Sequence, residues 1–316
     1  MNNAIHSASD LITSHEQTRA GFVEAALEKS KKAQPYIEAA RTLKTMASEA
    51  NKPMDLLSMS QITPSLLAAS GLSDKSLQYF SDVDKMEAVR QLIEQFLEPA
   101  GECWIDELVY RYLLIKGDAL GGSMRNYVGM VAKVKVTRKV LSVLVAMGLE
   151  YWVLLKNDKK RNAWRVMSYV DDFEQAEDIC ALSWVYGGND KVLFFDTKIP
   201  QVNKNIDICL YKGGPEAYNG GKIIEDVGDA IMFGELKGGI DPAGADEHWK
   251  TANTALSRIR TAFDNRVKTS FVGAAIERNM AEEIWTQLSS GILSNAANLT
   301  VEEQFTEYCK WIVTQF

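Results

Sequence analysis

Three residues in the second half of the chain have the types and spacing of a hydrolytic metal site. Glu235 and Lys237 lie at the end of DAIMFGELK, residues 229–237, an apolar run typical of a β-strand. Side chains alternate along a strand, so Glu235 and Lys237 are expected on one face and Leu236 on the other. Asp207 lies between two isoleucines in an earlier predicted strand. An acid in so apolar a run is costly unless it is paired or binds a cation, which makes Asp207 the natural second acid.

Two carboxylates beside an ammonium group suit the metal-assisted hydrolysis of a phosphodiester. Mg²⁺ prefers oxygen ligands, and a nearby ammonium can stabilise an attacking hydroxide or the negative charge of the transition state. The acid-x-Lys pattern is weak by itself, because it also occurs at residues 158–160 and 196–198. A structural salt bridge at a sheet edge is therefore the alternative for Glu235 and Lys237.

Composition and motifs exclude several other classes of protein. With 46% hydrophobic and 24% charged residues, the 316-residue chain is neither disordered nor of low complexity. It has no phosphate-binding or dinucleotide-binding glycine loop and no HExxH or GxSxG motif, and its three histidines cannot form a histidine-rich metal site. The four cysteines form no CxxC pair, no apolar run reaches 18 residues, and the first residues lack a signal-peptide pattern. We therefore expect a cytoplasmic protein without a membrane span.

The charge is unevenly distributed along the chain. The formal net charge is −7, but residues 116–165 hold eleven basic and three acidic side chains. Such a block can form an anion-binding face, or it can lie on ordinary solvated helices.

The order of predicted elements is a helical half followed by a mixed α/β half. Apolar stripes at helical spacing include Phe22, Val23, Ala26 and Leu27 in residues 1–149, and one predicted helix ends before Gly117. From residue 150 onward, predicted strands lie at 151–155, 181–186, 191–195, 206–211, 229–237 and 271–276, with a GGND turn at 187–190. Predicted helices lie at about 246–263, 280–289 and 300–316, the last opened by a Thr300–Glu303 capping box. Trp249 and Phe263 are assigned to the core.

Longer segments carry a resemblance to a known family. The segment GELKGGIDPAGADEHWKTANTALSRIR at 234–260 resembles the catalytic segment of the AvaI/BsoBI family of type II restriction endonucleases, a branch of the PD-(D/E)xK nucleases. The likeness continues in RAGFVEAALEKSKKAQPYIEAARTLK at 19–44, DELVYRYLLIKGDALGGSMRN at 106–126 and KNIDICL at 204–210. One departure is that Ile206, rather than proline, precedes the first aspartate. Proline is not a metal ligand, so this departure puts little in doubt.

The resemblance implies a fold, an activity and a site. The fold would be a PD-(D/E)xK mixed-sheet core at 150–316 with a large helical DNA-clasping region at 1–149. The activity would be Mg²⁺-dependent cleavage of double-stranded DNA by a homodimer at the palindrome C/YCGRG, leaving 5′ overhangs and 5′-phosphates. Asp207 and Glu235 would bind the metal with the Leu236 backbone carbonyl, and Lys237 would be the catalytic lysine. A cognate modification methyltransferase would belong to the same system, without a stable complex.

Four further residues are candidates with ordinary alternatives. His248 could accept a proton from water or bind a phosphate, or it could only cap a helix. Asp241, in the irregular GGIDPAGAD loop, could accept a hydrogen bond from a cytosine amino group, although Asp before Pro is also common in turns. Lys204 and Lys75 are candidate DNA contacts, or solvated surface lysines. The rival functions are a non-catalytic DNA-binding protein and a repair or junction nuclease on the same core.

Overall fold

A computed structural model describes residues 2–73 and 75–315, apart from the side chain of Arg125. Two compact units are formed: one by the residues up to Phe22 together with those from Tyr127 onward, and one by Val23–Asn126. We call them the sheet unit and the helical unit. The boundaries fall within two long helices, and the division into domains at residues 149 and 150 stays a prediction.

Helices dominate the first half of the chain and strands the second. The α-helices of the described residues are α1 (Ala8–Leu11), α2 (His15–Ala47), α3 (Thr63–Ala69), α4 (Asp82–Leu92), α5 (Trp104–Ala146), α6 (Tyr169–Glu174), α7 (Pro215–Tyr218), α8 (Ala245–Ala262), α9 (Arg278–Ser289) and α10 (Glu302–Val313). The strands are β1 (Tyr151–Leu155), β2 (Arg165–Val166), β3 (Ile179–Tyr186), β4 (Asn189–Ile199), β5 (Lys204–Lys212), β6 (Ala230–Lys237), β7 (Lys268–Gly273) and β8 (Asn295–Asn298).

The strands of the sheet unit form one mixed sheet in the order β2-β1-β3-β4-β5-β6-β7-β8. Pairing is antiparallel from β2 to β6 and parallel from β6 to β8. The predicted GGND turn joins β3 to β4, where Gly187 and Gly188 both have positive φ, as a two-residue hairpin turn requires. The predicted fold class, a mixed α/β core with a large helical N-terminal region, is confirmed.

Both faces of the sheet are covered by apolar clusters. On one face, which we call the α8 face, Phe194, Cys209, Phe233 and Phe271 pack with Trp249 and its neighbours in α8. On the other, which we call the α5 face, apolar side chains from the end of α5 and from α10 cover the alternate strand residues. This cluster includes Phe195, Ile208 and Met232 on the strands, Val136 and Val140 on α5, and Tyr308 on α10. The assignment of Trp249 and Phe263 to the core is confirmed, since they are 0% and 1% exposed.

The helical unit has a separate apolar core. The end of α2, the helices α3 and α4 and the start of α5 pack around Leu43, Leu66, Leu92, Trp104 and Leu108. No helix of the described residues combines the length and the apolar character needed to cross a membrane.

The stripe at 22–27 lies in α2, as its helical spacing predicts, but Phe22, Val23 and Leu27 are 46%, 53% and 62% exposed; periodicity reveals an apolar face but not what covers it. Two local expectations were wrong. Helix α5 continues through Gly117, which lacks the positive φ of a helix-ending glycine.

The second error concerns the start of α10. Val301 is the N-cap, and the Thr300 hydroxyl donates to Asn298 Oδ1 over 2.7 Å instead of capping the helix. The buried strand β8 was missed because its sequence, NAAN, has no β-branched or aromatic residue.

Candidate active site

Asp207, Glu235 and Lys237 come together where β5 and β6 diverge. The last described backbone pair of these antiparallel strands in this direction is Ile208 with Gly234, and the next residues along them are Asp207 and Glu235. Lys237 Nζ lies 2.7 Å from Glu235 Oε2 and 3.3 Å from Asp207 Oδ2. Glu235 and Lys237 therefore lie on one face of β6, as predicted, and form an ion pair. Asp207 is a second carboxylate partner of the same lysine.

The Asp207 side chain takes the place of a backbone partner at this divergence. The Leu236 N–H donates to Asp207 Oδ2 over 2.7 Å, so that carboxylate lies between the two strands. The N–H and C=O of one strand residue point to the same side of the strand, and the Leu236 carbonyl therefore also faces β5. The Lys237 carbonyl points the other way and accepts from Ala274 N over 2.8 Å.

Burial and charge perturb the acid and the amine of this cluster. The Glu235 side chain is 6% exposed, and burial, reinforced by the negative charge of Asp207, raises its pKa to about 7. Burial alone would lower the pKa of Lys237, but the charges of Asp207 and Glu235 and its hydrogen bonds to them raise it. The two carboxylates therefore favour the protonated, charged form of Lys237.

The other sequence candidates lie at several distinct places. His248 is an exposed residue of α8, and a Cβ built on Gly239, two residues beyond Lys237, would lie 3.8 Å from its Cε1 atom. Asp241 accepts from Ala243 N over 3.0 Å and so caps the short 3₁₀ turn at 242–244, as its turn alternative predicted. Lys204 is exposed at the start of β5.

Lys75 belongs to the helical unit. It is exposed and directly precedes the 3₁₀ turn at 76–79. Its role as a DNA contact stays a prediction.

The structure separates the three acid-x-Lys patterns that the sequence could not. Asp158 pairs with Arg161 over 2.8 Å in an exposed 3₁₀ segment. Asp196 pairs with Lys133 of α5 over 3.1 Å. Among these three, Glu235 is the acid bonded to the lysine of its own pattern.

Sequence reasoning missed two features that border the cluster. The first is the Lys133–Asp196 pair. The second is Gly238: a Cβ there would lie 2.5 Å from Ala132 Cβ and 2.8 Å from the Val128 carbonyl oxygen, so the chain beyond Lys237 touches α5. The glycine run after Lys237 was a visible signal for the close approach, but nothing in the sequence identified α5 as the partner.

The basic block is partly neutralised within the sheet unit. Besides the pair of Lys133 with Asp196, Lys139 pairs with Glu302, and Arg138 Nε donates to the Phe173 carbonyl oxygen over 3.1 Å. Across residues 2–73 and 75–315, no group of three or more His, Cys, Asp or Glu side chains is arranged to hold a metal ion. A metal at the candidate site would therefore depend on two carboxylates together with backbone or solvent oxygens.

Comparison with known proteins identifies the family. The sequence profile of the family described as "Restriction endonuclease BsobI" matches residues 1–315. The chain belongs to the BsoBI restriction endonuclease family. It is 50% identical to the type II restriction enzyme BsoBI of Geobacillus stearothermophilus over 314 residues, which cover 98% of this chain and 97% of that protein. It is 49% identical to the type II restriction enzyme AvaI of Nostoc sp. over 313 residues, 98% of each chain. The resemblance in the sequence and the predicted enzyme class, a type II restriction endonuclease, are confirmed.

Proposed function

We propose that the chain cleaves double-stranded DNA at the palindrome C/YCGRG and leaves four-base 5′ overhangs with 5′-phosphates. The observation that carries the proposal is the convergence of Asp207, Glu235 and Lys237 at the divergence of β5 and β6, in a chain of this family. The relatives named BsoBI and AvaI are type II restriction enzymes, which supports the proposed substrate.

The residues present fit a divalent cation. Asp207 and Glu235 are two oxygen donors bonded to the same ammonium, and a cation between them would relieve the repulsion that, after burial, raises the pKa of Glu235. We propose that these carboxylates and the Leu236 backbone carbonyl would hold Mg²⁺. When bound, the ion would supply Lewis-acid chemistry to the scissile phosphate.

The protein's own residues would supply charge stabilisation and proton transfer. A water oxygen would attack phosphorus in line, the bond from phosphorus to the 3′ oxygen would break, and the 3′ oxygen would take a proton from solvent to leave as a hydroxyl. Lys237 would stabilise the negative charge that develops on the phosphoryl oxygens. His248 would take a proton from the attacking water. The phosphate would remain as the 5′-phosphate of the downstream DNA fragment.

Recognition would use residues outside the cluster and a second subunit. A palindrome is most simply read by two identical chains about a two-fold axis, each acting on one strand. Asp241 would accept from a cytosine amino group, Lys204 would contact phosphate, and Lys75 would donate to purine N7, an acceptor that adenine and guanine share. A modification methyltransferase would protect the same sites in the host, and we propose a bacterial cytoplasm as the location.

A digestion experiment tests the proposal. Sequenced plasmid would be incubated with wild type and with Asp207→Asn, Glu235→Gln and Lys237→Ala, in Mg²⁺ and in chelator. We expect discrete fragments from wild type in Mg²⁺ only, and no cleavage by the three variants although they bind the cognate duplex. Lys160→Ala is the matched control, because it removes the lysine of another acid-x-Lys pattern in an exposed segment.

The outcomes separate the rival functions. Binding without cutting by wild type would indicate a non-catalytic DNA-binding protein. Cutting without discrete bands would indicate a nuclease that reads DNA shape. Normal cutting by Glu235→Gln would remove the site assignment.

A further inference from the structure

Asp196 occupies an unusual position in β4, opposite Asp207. The residues on either side of it are in register with β5, since Phe195 pairs with Ile208 and Thr197 with Ile206. Asp196 itself has φ +49°, in the left-handed region that residues other than glycine rarely adopt. Such backbone strain persists where surrounding contacts fix it.

The left-handed backbone places the Asp196 carboxylate away from the face of Glu235. Phe194 packs on the α8 face and Phe195 on the α5 face, so regular alternation would direct Asp196 to the α8 face. Glu235 follows Phe233 by two residues in β6 and shares that face. The Asp196 carboxylate instead lies 3.1 Å from Nζ of Lys133, on the helix that covers the α5 face.

Lys133 is well placed to hold this carboxylate. Its side chain is 14% exposed, and its ammonium lies 5.3 Å from the centroid of the Phe195 ring, which restricts its movement. Helix α5 is fixed at this level by the close contact of Ala132 and Val128 with Gly238. The lysine therefore belongs to a part of the helix that cannot easily withdraw.

A carboxylate released from Lys133 would be close to the candidate metal-binding acids. Opposing residues of a regular antiparallel pair have Cβ atoms about 4.5–5.5 Å apart, and like charges at that separation repel. Asp196 is already near the cluster, because its neighbours Phe195 and Thr197 pair with the two isoleucines that flank Asp207. A third acid turned towards the cluster would repel DNA phosphate.

We propose that Lys133 is a positioning residue whose ion pair with Asp196 keeps this carboxylate away from Asp207 and Glu235. The inference rests on the proposed function, in which those two acids form the reactive centre. Asp196 takes no part in the reaction, and its pair with Lys133 keeps its negative charge away from the DNA phosphate.

The proposal is tested by asking whether a second substitution, which removes the charge of Asp196, rescues the loss of Lys133. Lys133→Met is expected to lower the single-turnover cleavage rate about tenfold and to weaken binding of the cognate duplex in chelator several-fold. Lys133→Met combined with Asp196→Asn is expected to return both values to within about twofold of wild type, because asparagine tolerates the left-handed backbone without the charge. Asp196→Asn alone and Lys133→Arg should behave like wild type.

Lys139→Met is the matched control. It removes a lysine of the same helix that pairs with Glu302, so it loses the same charge and a comparable ion pair. We expect it to leave the rate and the metal-free affinity unchanged, and thermal unfolding would verify that every variant is folded.

Two results would overturn the inference. If the double variant stays as slow as Lys133→Met, the lysine acts directly or through helix packing. If Lys133→Met behaves like wild type, the ion pair has no positioning role. Asp207→Asn is measured in parallel: normal cleavage by that variant would refute the proposed function instead, whatever the Lys133 series shows.

Discussion

Replacing Glu235 with glutamine is expected to stabilise the metal-free protein while it abolishes cleavage. Glu235 is buried and faces Asp207, and these two causes raise its pKa from 4.5 to about 7. The folded state therefore binds a proton at pH values where the unfolded chain has lost it. Its contribution to stability is fully present below about pH 4.5 and is lost as the pH rises to about 7.

The size of the effect follows from this difference in pKa. A pKa difference of one is worth about 1.4 kcal/mol, so ionising Glu235 in the folded state costs up to about 3 kcal/mol above pH 7. Glutamine resembles the protonated acid and avoids this cost. The ion pair with Lys237 already lowers this pKa, so the cost of about 3 kcal/mol is what remains after that attraction. We expect a net gain of about 1–3 kcal/mol at pH 8 and little gain near pH 5.

Urea unfolding in chelator at pH 5 and pH 8 measures the gain. Of the seven tryptophans, only Trp104 precedes residue 127, so intrinsic fluorescence reports mainly on the sheet unit. Glu303→Gln, at an exposed position of α10, is the control and should change stability by less than about 0.5 kcal/mol. Added Mg²⁺ should stabilise wild type more than Glu235→Gln. A variant less stable than wild type at pH 8 would refute the reasoning, because the carboxylate would then be stabilising.

Three further substitutions test the neighbourhood of the cluster and the reading of DNA. His248→Ala should cleave slowly at saturating Mg²⁺ while it still binds the cognate duplex; an unchanged single-turnover rate would show that the histidine is not the proton acceptor. Lys75→Ala should weaken binding or discrimination at the degenerate base pair by about 1–3 kcal/mol, as measured with duplexes altered at that pair alone, whereas an equal loss on random duplexes would indicate a phosphate contact. Gly238→Ala should lower the cleavage rate more than tenfold, because its Cβ would lie 2.5 Å from Ala132 Cβ in α5 and the chain beyond Lys237 must shift. Gly188→Ser, in the hairpin turn, controls for a general loss of stability. A normal rate for Gly238→Ala would mean that this contact does not position the site.

The sequence by itself determined the elements that carry a strong local pattern. The strands β1, β3, β4, β5 and β6 follow apolar runs bounded by turn residues, and the two glycines after β3 specify their hairpin. The sequence also indicated the family, because resemblance over segments of that length is specific to it. The residues Asp207, Glu235 and Lys237 could be named from residue type and strand alternation, which are local properties.

Tertiary structure decided what depends on partners distant in the chain. Three acid-x-Lys patterns are equivalent in sequence, and only the approach of β5 to β6 shows that Glu235 and Lys237 share a site with Asp207. The stripe at 22–27 is as periodic as a core helix but exposed, since periodicity does not specify a covering surface. Lys133 and Asp196 are 63 residues apart, and their pairing requires both the left-handed backbone at Asp196 and the docking of α5. Long-range packing fixes such contacts, because no local preference of either residue distinguishes one oppositely charged partner from another.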